Sequence, residues 1–204
     1  MRWLLGMRRV RGVFLRLSDA LFALRYRSVF GRGARVYGWP VIRTVPGSTI
    51  SVGSRAVLIS IGEYAEWGLN HPCHIRTVAP GARITVGDDV GMSGVTIVCA
   101  ERVHIGSRVM LGANVSITDT DSHVVDVVPR RYEKTGIATS PVEVQDDVFI
   151  GADSIVLKGV TIGAGSVIGA GSVVTSSVPA DVVCAGNPAR VIRALSPSRE
   201  SLLS

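Results

Sequence analysis

Residues 144–178 read VQDDVFIGADSIVLKGVTIGAGSVIGAGSVVTSSV. An aliphatic residue returns at every sixth position, at Val144, Ile150, Val156, Ile162, Ile168 and Val174. Four residues after each stands a small or β-branched one: Val148, Ser154, Val160, Ser166, Ser172 and Val178. Glycine follows the aliphatic directly at Gly151, Gly163 and Gly169. This spacing matches neither the period of roughly 3.6 of a helix nor the alternation of a long strand. It suits short strands joined by tight corners, three to a coil, so that about eighteen residues close a turn. Each strand then pairs in parallel with the strand one coil on, about 4.8 Å away.

Upstream the same spacing places Val86, Met92 and Val98 in phase. One extra residue within Ala100 to His104 shifts the register, which resumes at Ile105, Leu111 and Ile117, and weaker copies surround Val52 and Leu58. Each inward Val, Ile or Leu contributes roughly 1.5–3 kcal/mol of burial, so stacked aliphatics can build a core with few aromatics. The 5% aromatic content agrees. Glycine serves corners where left-handed backbone or close packing excludes a side chain.

Continuing the register past Ile117 predicts an aliphatic at 123, and the residue there is a histidine. From His123 to Glu143 the repeat vanishes for 21 residues, then restarts cleanly at Val144. A loop of that length leaving a regular solenoid is more often functional than decorative. Asp119, Asp121 and Asp126 flank His123, with Arg130 and Arg131 further along.

The chain of 204 residues, 47% hydrophobic and 19% charged, is long enough for one core and excludes disordered, collagenous and disulfide-rich classes. Its three cysteines, Cys73, Cys99 and Cys184, have no close spacing, as expected of a reduced, cytoplasmic chain without a cysteine metal site. The net charge of +6 is unevenly spread: residues 1–35 hold nine arginines against Asp19, whereas residues 36–204 carry a net −2. Leu4, Met7, Val10, Phe14, Leu17, Leu21 and Leu24 recur at helical spacing among those arginines. The expected organisation is therefore a basic amphipathic helix over 1–35, a β-helix over 36–180 with an excursion loop at 123–143, and a C-terminal cap over 181–204. The basic helix packs on its own protein or, through residues 1–28, adsorbs to an anionic membrane at the inner face; a nucleic-acid role is disfavoured.

The runs DTDSHVVDVVPRR, VFIGADSIVLKGVTIGAGSVIGAGSVVTSSVPADVV and AGNPARVIR resemble those of hexapeptide-repeat, left-handed parallel β-helix acetyltransferases. The similarity is to the branch containing maltose and galactoside O-acetyltransferases and polysaccharide-modifying enzymes. The resemblance implies a homotrimer that uses acetyl-CoA and no metal to acetylate a sugar hydroxyl. His123 is then the general base, and transfer is direct, without an acyl-enzyme. Histidine is neutral enough near pH 7 to take the hydroxyl proton, and a carboxylate, Asp121 or Asp126, can hold its other ring nitrogen. The resemblance further implies that acetyl-CoA lies along Ala152, Ala170, Thr175, Ser176, Arg190 and Arg193. Relatives often carry lysine where this chain has Ser176. Met92 and Ala100 stand where the galactoside and maltose enzymes place sugar-gripping residues, which argues for a different acceptor, nucleotide-linked or lipid-linked. Asn114, Arg130, Arg131 and Tyr132 are candidate acceptor contacts.

The main alternative is an N-acetyltransferase acting on an amino-sugar nucleotide. A γ-class carbonic anhydrase needs three converging histidines, and the odd spacing of His71 and His74 disfavours it. A non-catalytic β-helix scaffold is disfavoured by the intact motifs, and a serine acetyltransferase by the short N-terminal segment.

Overall fold

The computed structural model describes residues 25, 26, 28–126, 128, 131–133 and 135–195. Residues 1–24, which carry most of the expected amphipathic helix, lie outside them, as do Arg130 and residues 196–204. The described chain winds into a left-handed parallel β-helix with three faces. Face I runs through Val57–Ile59, Gly91–Ser93, Met110–Leu111, Phe149–Ile150 and Val167–Ile168. Face II runs through Val41–Arg43, His74–Thr77, Thr96–Cys99, Ser116–Thr118, Ile155–Val156 and Val173–Val174. Face III runs through Thr49–Val52, Arg83–Val86, Arg102–Ile105, Val142–Val144 and Thr161–Ile162.

The repeat becomes columns of like residues. Leu58, Met92, Leu111, Ile150 and Ile168 stack on face I, and Ile75, Ile97, Ile117, Val156 and Val174 on face II, all buried. The small residues four places on are buried at the corners, where they tie coils together: Ser154 Oγ donates to the Gly169 carbonyl at 3.0 Å and Ser166 Oγ to that of Pro179 at 2.6 Å.

One stretch is phased differently from the expected register. Ile97, not Val98, points inward, because the turn after Met92 is one residue shorter than its counterparts and the bend at Cys99–Arg102 correspondingly longer. The glycines after the aliphatics are required by close approach. A Cβ on Gly151 would lie 2.5 Å from the Ala170 nitrogen, and one on Gly163 2.3 Å from the Ala180 nitrogen.

The boundaries also differ. Phe30 already bridges Val52, so coiling begins before residue 36. Val182–Gly186 still pairs in parallel with Val167–Ile168; the cis Asn187–Pro188 turn then sends Ala189–Ala194 back antiparallel along that last strand. The later excursion spans 119–141, because Val142 packs inward beside Val144 and restarts the strand early. A second excursion, 60–73, leaves between faces I and II and contains a short 3-10 turn, Gly62–Tyr64.

At the corner between faces III and I, Arg55, Asp89, Arg108 and Asp147 occupy successive coils with left-handed backbone, φ 57–60°. Arg55 pairs with Asp89, and Arg108 with Asp147 at 2.6 Å. These partners hold both carboxyls below their ordinary range. The preference for the ionised form is therefore felt above the unfolded carboxylate range and is lost as pH falls through the lowered values.

Candidate functional site

The later excursion rises from the corner between faces II and III on a narrow neck. Thr120 bridges Thr139, the Asp121 N–H donates to the Ala138 carbonyl and that of Ser140 to the Asp119 carbonyl. Asp119 anchors the neck. Its buried carboxylate accepts the backbone N–H groups of Ala100, Glu101 and Arg102, each at 2.7 Å, filling the bend that the lengthened Cys99–Arg102 segment creates. The Cys99 thiol also donates to Asp119, at 3.3 Å. Burial first, and the Asp119 charge second, push this thiol up to about 12. The thiol is buried and stays protonated at pH 8, so iodoacetamide should leave it unmodified in the folded protein and alkylate it in urea, as peptide mass spectrometry will record.

His123 follows Ser122, whose backbone is left-handed (φ 62°), and stands exposed just beyond the neck. Asp121 does not reach it. Its Oδ1 accepts the Lys158 ammonium at 2.7 Å, tying the neck to the turn one coil on. Asp126 is exposed three residues further, and among the described residues neither carboxylate is hydrogen-bonded to His123 within one chain. Arg131 and Tyr132 are exposed on the same excursion, with the guanidinium 5.9 Å from the Tyr132 ring centre. Arg130 lies outside the described residues.

A groove of about 520 Å³ opens elsewhere, along face I beside the corner with face II. Its floor is a stair of Gly–Ala pairs from three successive coils, Gly112–Ala113, Gly151–Ala152 and Gly169–Ala170. Phe149 and Val167 form the base, and Tyr64 and Trp67 of the first excursion form a wall. With side chains this small, an extended ligand can approach the backbone over several rungs. Ala152 and Ala170 thus both line the groove, whereas His123 does not. Thr175 and Ser176 are exposed beyond the last face II strand, and Arg190 and Arg193 are exposed on the final hairpin. Among the described residues neither arginine is paired with a carboxylate; their guanidinium groups donate to the Ala189 and Ala194 carbonyls.

Asn114 sits at the corner between faces I and II with left-handed backbone, φ 61°. Its side chain accepts the Asn70 N–H at 2.9 Å and donates to the Gly68 carbonyl and Asp153 Oδ1, pinning the first excursion. Met92 is 2% exposed within the core, so the residue type at 92 carries no information about the acceptor. Sequence reasoning did not single out the aromatic wall, Gly112–Ala113 or Lys158; the Gly–Ala dipeptide recurring after face I strands was a usable signal. His71 belongs to an excursion rather than a strand, and His104 is held by Thr85 at 2.8 Å. Among the described residues no three His, Cys, Asp or Glu side chains converge, and no helix is long and apolar enough to cross a membrane.

Residues 141–176 match the family described as bacterial transferase hexapeptide (six repeats). A 92-residue stretch is 47% identical to a candidate acetyltransferase of Schizosaccharomyces pombe, covering 45% of this chain and 42% of that one. The matched stretches span less than half the length of the curated relatives. Among solved structures, a hexapeptide-repeat acetyltransferase of Vibrio cholerae superposes with a TM-score of 0.56 at 26% identity, over 92% of this chain and 90% of that one. A variant of an N-acyltransferase of Bacillus cereus, in complex with dTDP-4-amino-4,6-dideoxyglucose and coenzyme A, gives 0.64 at 17% identity, covering 88% and 90%, a likeness of fold alone.

Proposed function

We propose that this chain, which carries the hexapeptide repeat and the fold of the hexapeptide-repeat acetyltransferases, transfers acetyl from acetyl-CoA to a sugar hydroxyl. The observation that carries the proposal is the Gly–Ala stair walled by Trp67, an apolar channel suited to the pantetheine arm of the donor. His123 is the base. Its ring nitrogen takes the hydroxyl proton as the oxygen attacks the thioester carbonyl; the C–S bond then breaks, and the imidazolium returns the proton to the departing thiolate. Base and groove occupy different corners of one chain, so a second copy must bring its loop to this groove. A homotrimer supplies that arrangement three times. Arg190 and Arg193, paired with no carboxylate among the described residues, suit the phosphates of the nucleotide end.

Replacing Arg193 by alanine should raise the KM for acetyl-CoA several-fold with little change in kcat, as measured by thiol release; a fall in kcat alone argues against phosphate binding. The acceptor class is tested by incubating the protein with acetyl-CoA and a panel of hydroxyl and amino sugars, free and nucleotide-linked. Thiol release with hydroxyl acceptors supports O-acetylation. Release confined to amino-sugar nucleotides replaces it with N-acetylation by the same base, and no release with any acceptor refutes the assignment. For a cytoplasmic enzyme, we propose that the basic segment 1–28 adsorbs to the inner face of an anionic membrane, the alternative being that it packs on its own trimer. Sedimentation with anionic liposomes should be lost on its deletion and in high salt; persistence after deletion refutes this placement.

A further inference from the structure

We infer that the acceptor carries a phosphate or diphosphate, held on the outer side of face II by Arg43, His74 and Arg76. The inference rests on the acyltransferase reading and names its substrate class. Alternation on face II sends Ile42 and Ile75 inward and Arg43, His74 and Arg76 outward. Arg43 and Arg76 are direct partners on adjacent strands, and His74 lies two residues from Arg76 on the same side. Like charges facing each other across a strand pair are unfavourable, and among the described residues no carboxylate offsets this pair. None of the six strands of face II contains an acidic residue, and neither arginine forms an ion pair among the described residues. The sequence has no Asp or Glu between Asp19 and Glu63 or between Glu66 and Asp88.

Two further observations point to an anion. His74 Nε2 and Arg76 Nε are both shielded from solvent without a hydrogen-bond partner among the described residues. Burial, then the charges of Arg76, Arg43 and His71, lower the pKa of His74, so four basic groups share one neighbourhood. The cluster also has a fixed relation to the base. Thr118, immediately before the excursion that bears His123, heads the column Thr118, Val98, Arg76, Arg43. Arg76 is two strands from Thr118, about 10 Å at the usual strand spacing, and Arg43 one strand further. A sugar at the base with its phosphate directed down face II fits that separation. Nucleotide-linked and polyprenyl-linked sugars share the diphosphate.

The test compares the full-length protein with an Arg43→Ala/Arg76→Ala variant and an Arg83→Ala control from face III. Calorimetry with inorganic pyrophosphate is independent of turnover: wild type and control should bind, and the double variant should bind at least tenfold more weakly. In turnover, the KM for a diphosphate-linked sugar should rise at least tenfold in the double variant, with kcat, the KM for acetyl-CoA and the KM for the phosphate-free sugar unchanged. UDP-linked and polyprenyl-diphosphate-linked acceptors, run in parallel, distinguish the two sources. Absence of pyrophosphate binding to wild type, or an equal KM rise with and without the phosphate, overturns the inference. So does loss of assembly by light scattering in the double variant, which would assign the cluster to contact between copies. If pyrophosphate binds but no acceptor is acetylated, the acyltransferase reading fails and the anion site stands.

Discussion

Alanine in place of His123 is expected to lower the acetyl-transfer rate by at least about two orders of magnitude, because the attacking hydroxyl then has no positioned base. The side chain is exposed beyond the neck and has no hydrogen-bond partner among the described residues, so its removal leaves the core and the neck intact. Circular dichroism, the thermal midpoint and acetyl-CoA affinity should therefore match wild type. A near-normal rate would remove His123 from the chemistry. Among the described residues no carboxylate orients its ring, since Asp121 is committed to Lys158.

Asp119→Ala is the largest expected loss of stability. It leaves the N–H groups of Ala100, Glu101 and Arg102 without their acceptor in a part-buried bend. Water partly reaches this bend, so each group costs near the lower end of about 1–3 kcal/mol, for a total of roughly 3 kcal/mol at most. Urea denaturation followed by far-UV circular dichroism measures it. Asp119→Asn should lose less, because its single carbonyl oxygen can keep the bonds to Glu101 and Arg102, which share one oxygen of the aspartate. Equal stability of the alanine variant and wild type would show that the bend is held by other means.

The fold was legible because Val, Ile and Leu at every sixth place leave few alternative arrangements for chain direction or core. Its irregularities were not. A shortened turn after Met92 and a lengthened bend before Val103 nearly cancel over a coil, so a count along the chain passes through them with Val98 in the wrong orientation. The first excursion was hidden because SIGEYAEWGLNHPC breaks a repeat that is already weak on either side. At the site, the histidine was visible as a polar residue standing at an aliphatic position. The tasks of the aspartates beside it were not visible, because each is set by a partner distant in sequence. Asp119 answers three N–H groups 17–19 residues back, and Asp121 a lysine 37 residues ahead. Asn114, a candidate acceptor contact, holds Gly68 and Asn70 with its side chain.

The alternating corner of Arg55, Asp89, Arg108 and Asp147 bears on how such a chain finds its own thread. Successive rungs are nearly interchangeable in their aliphatic cores, so apolar packing alone distinguishes poorly between correct winding and winding that omits a turn. Omitting the Asp89 turn would seat Arg55 against Arg108, and omitting the Arg108 turn would seat Asp89 against Asp147, in either case putting a repulsion where the correct winding has an attraction. The ladder thereby adds a charge pattern that favours the correct winding, a modest preference at these exposed positions.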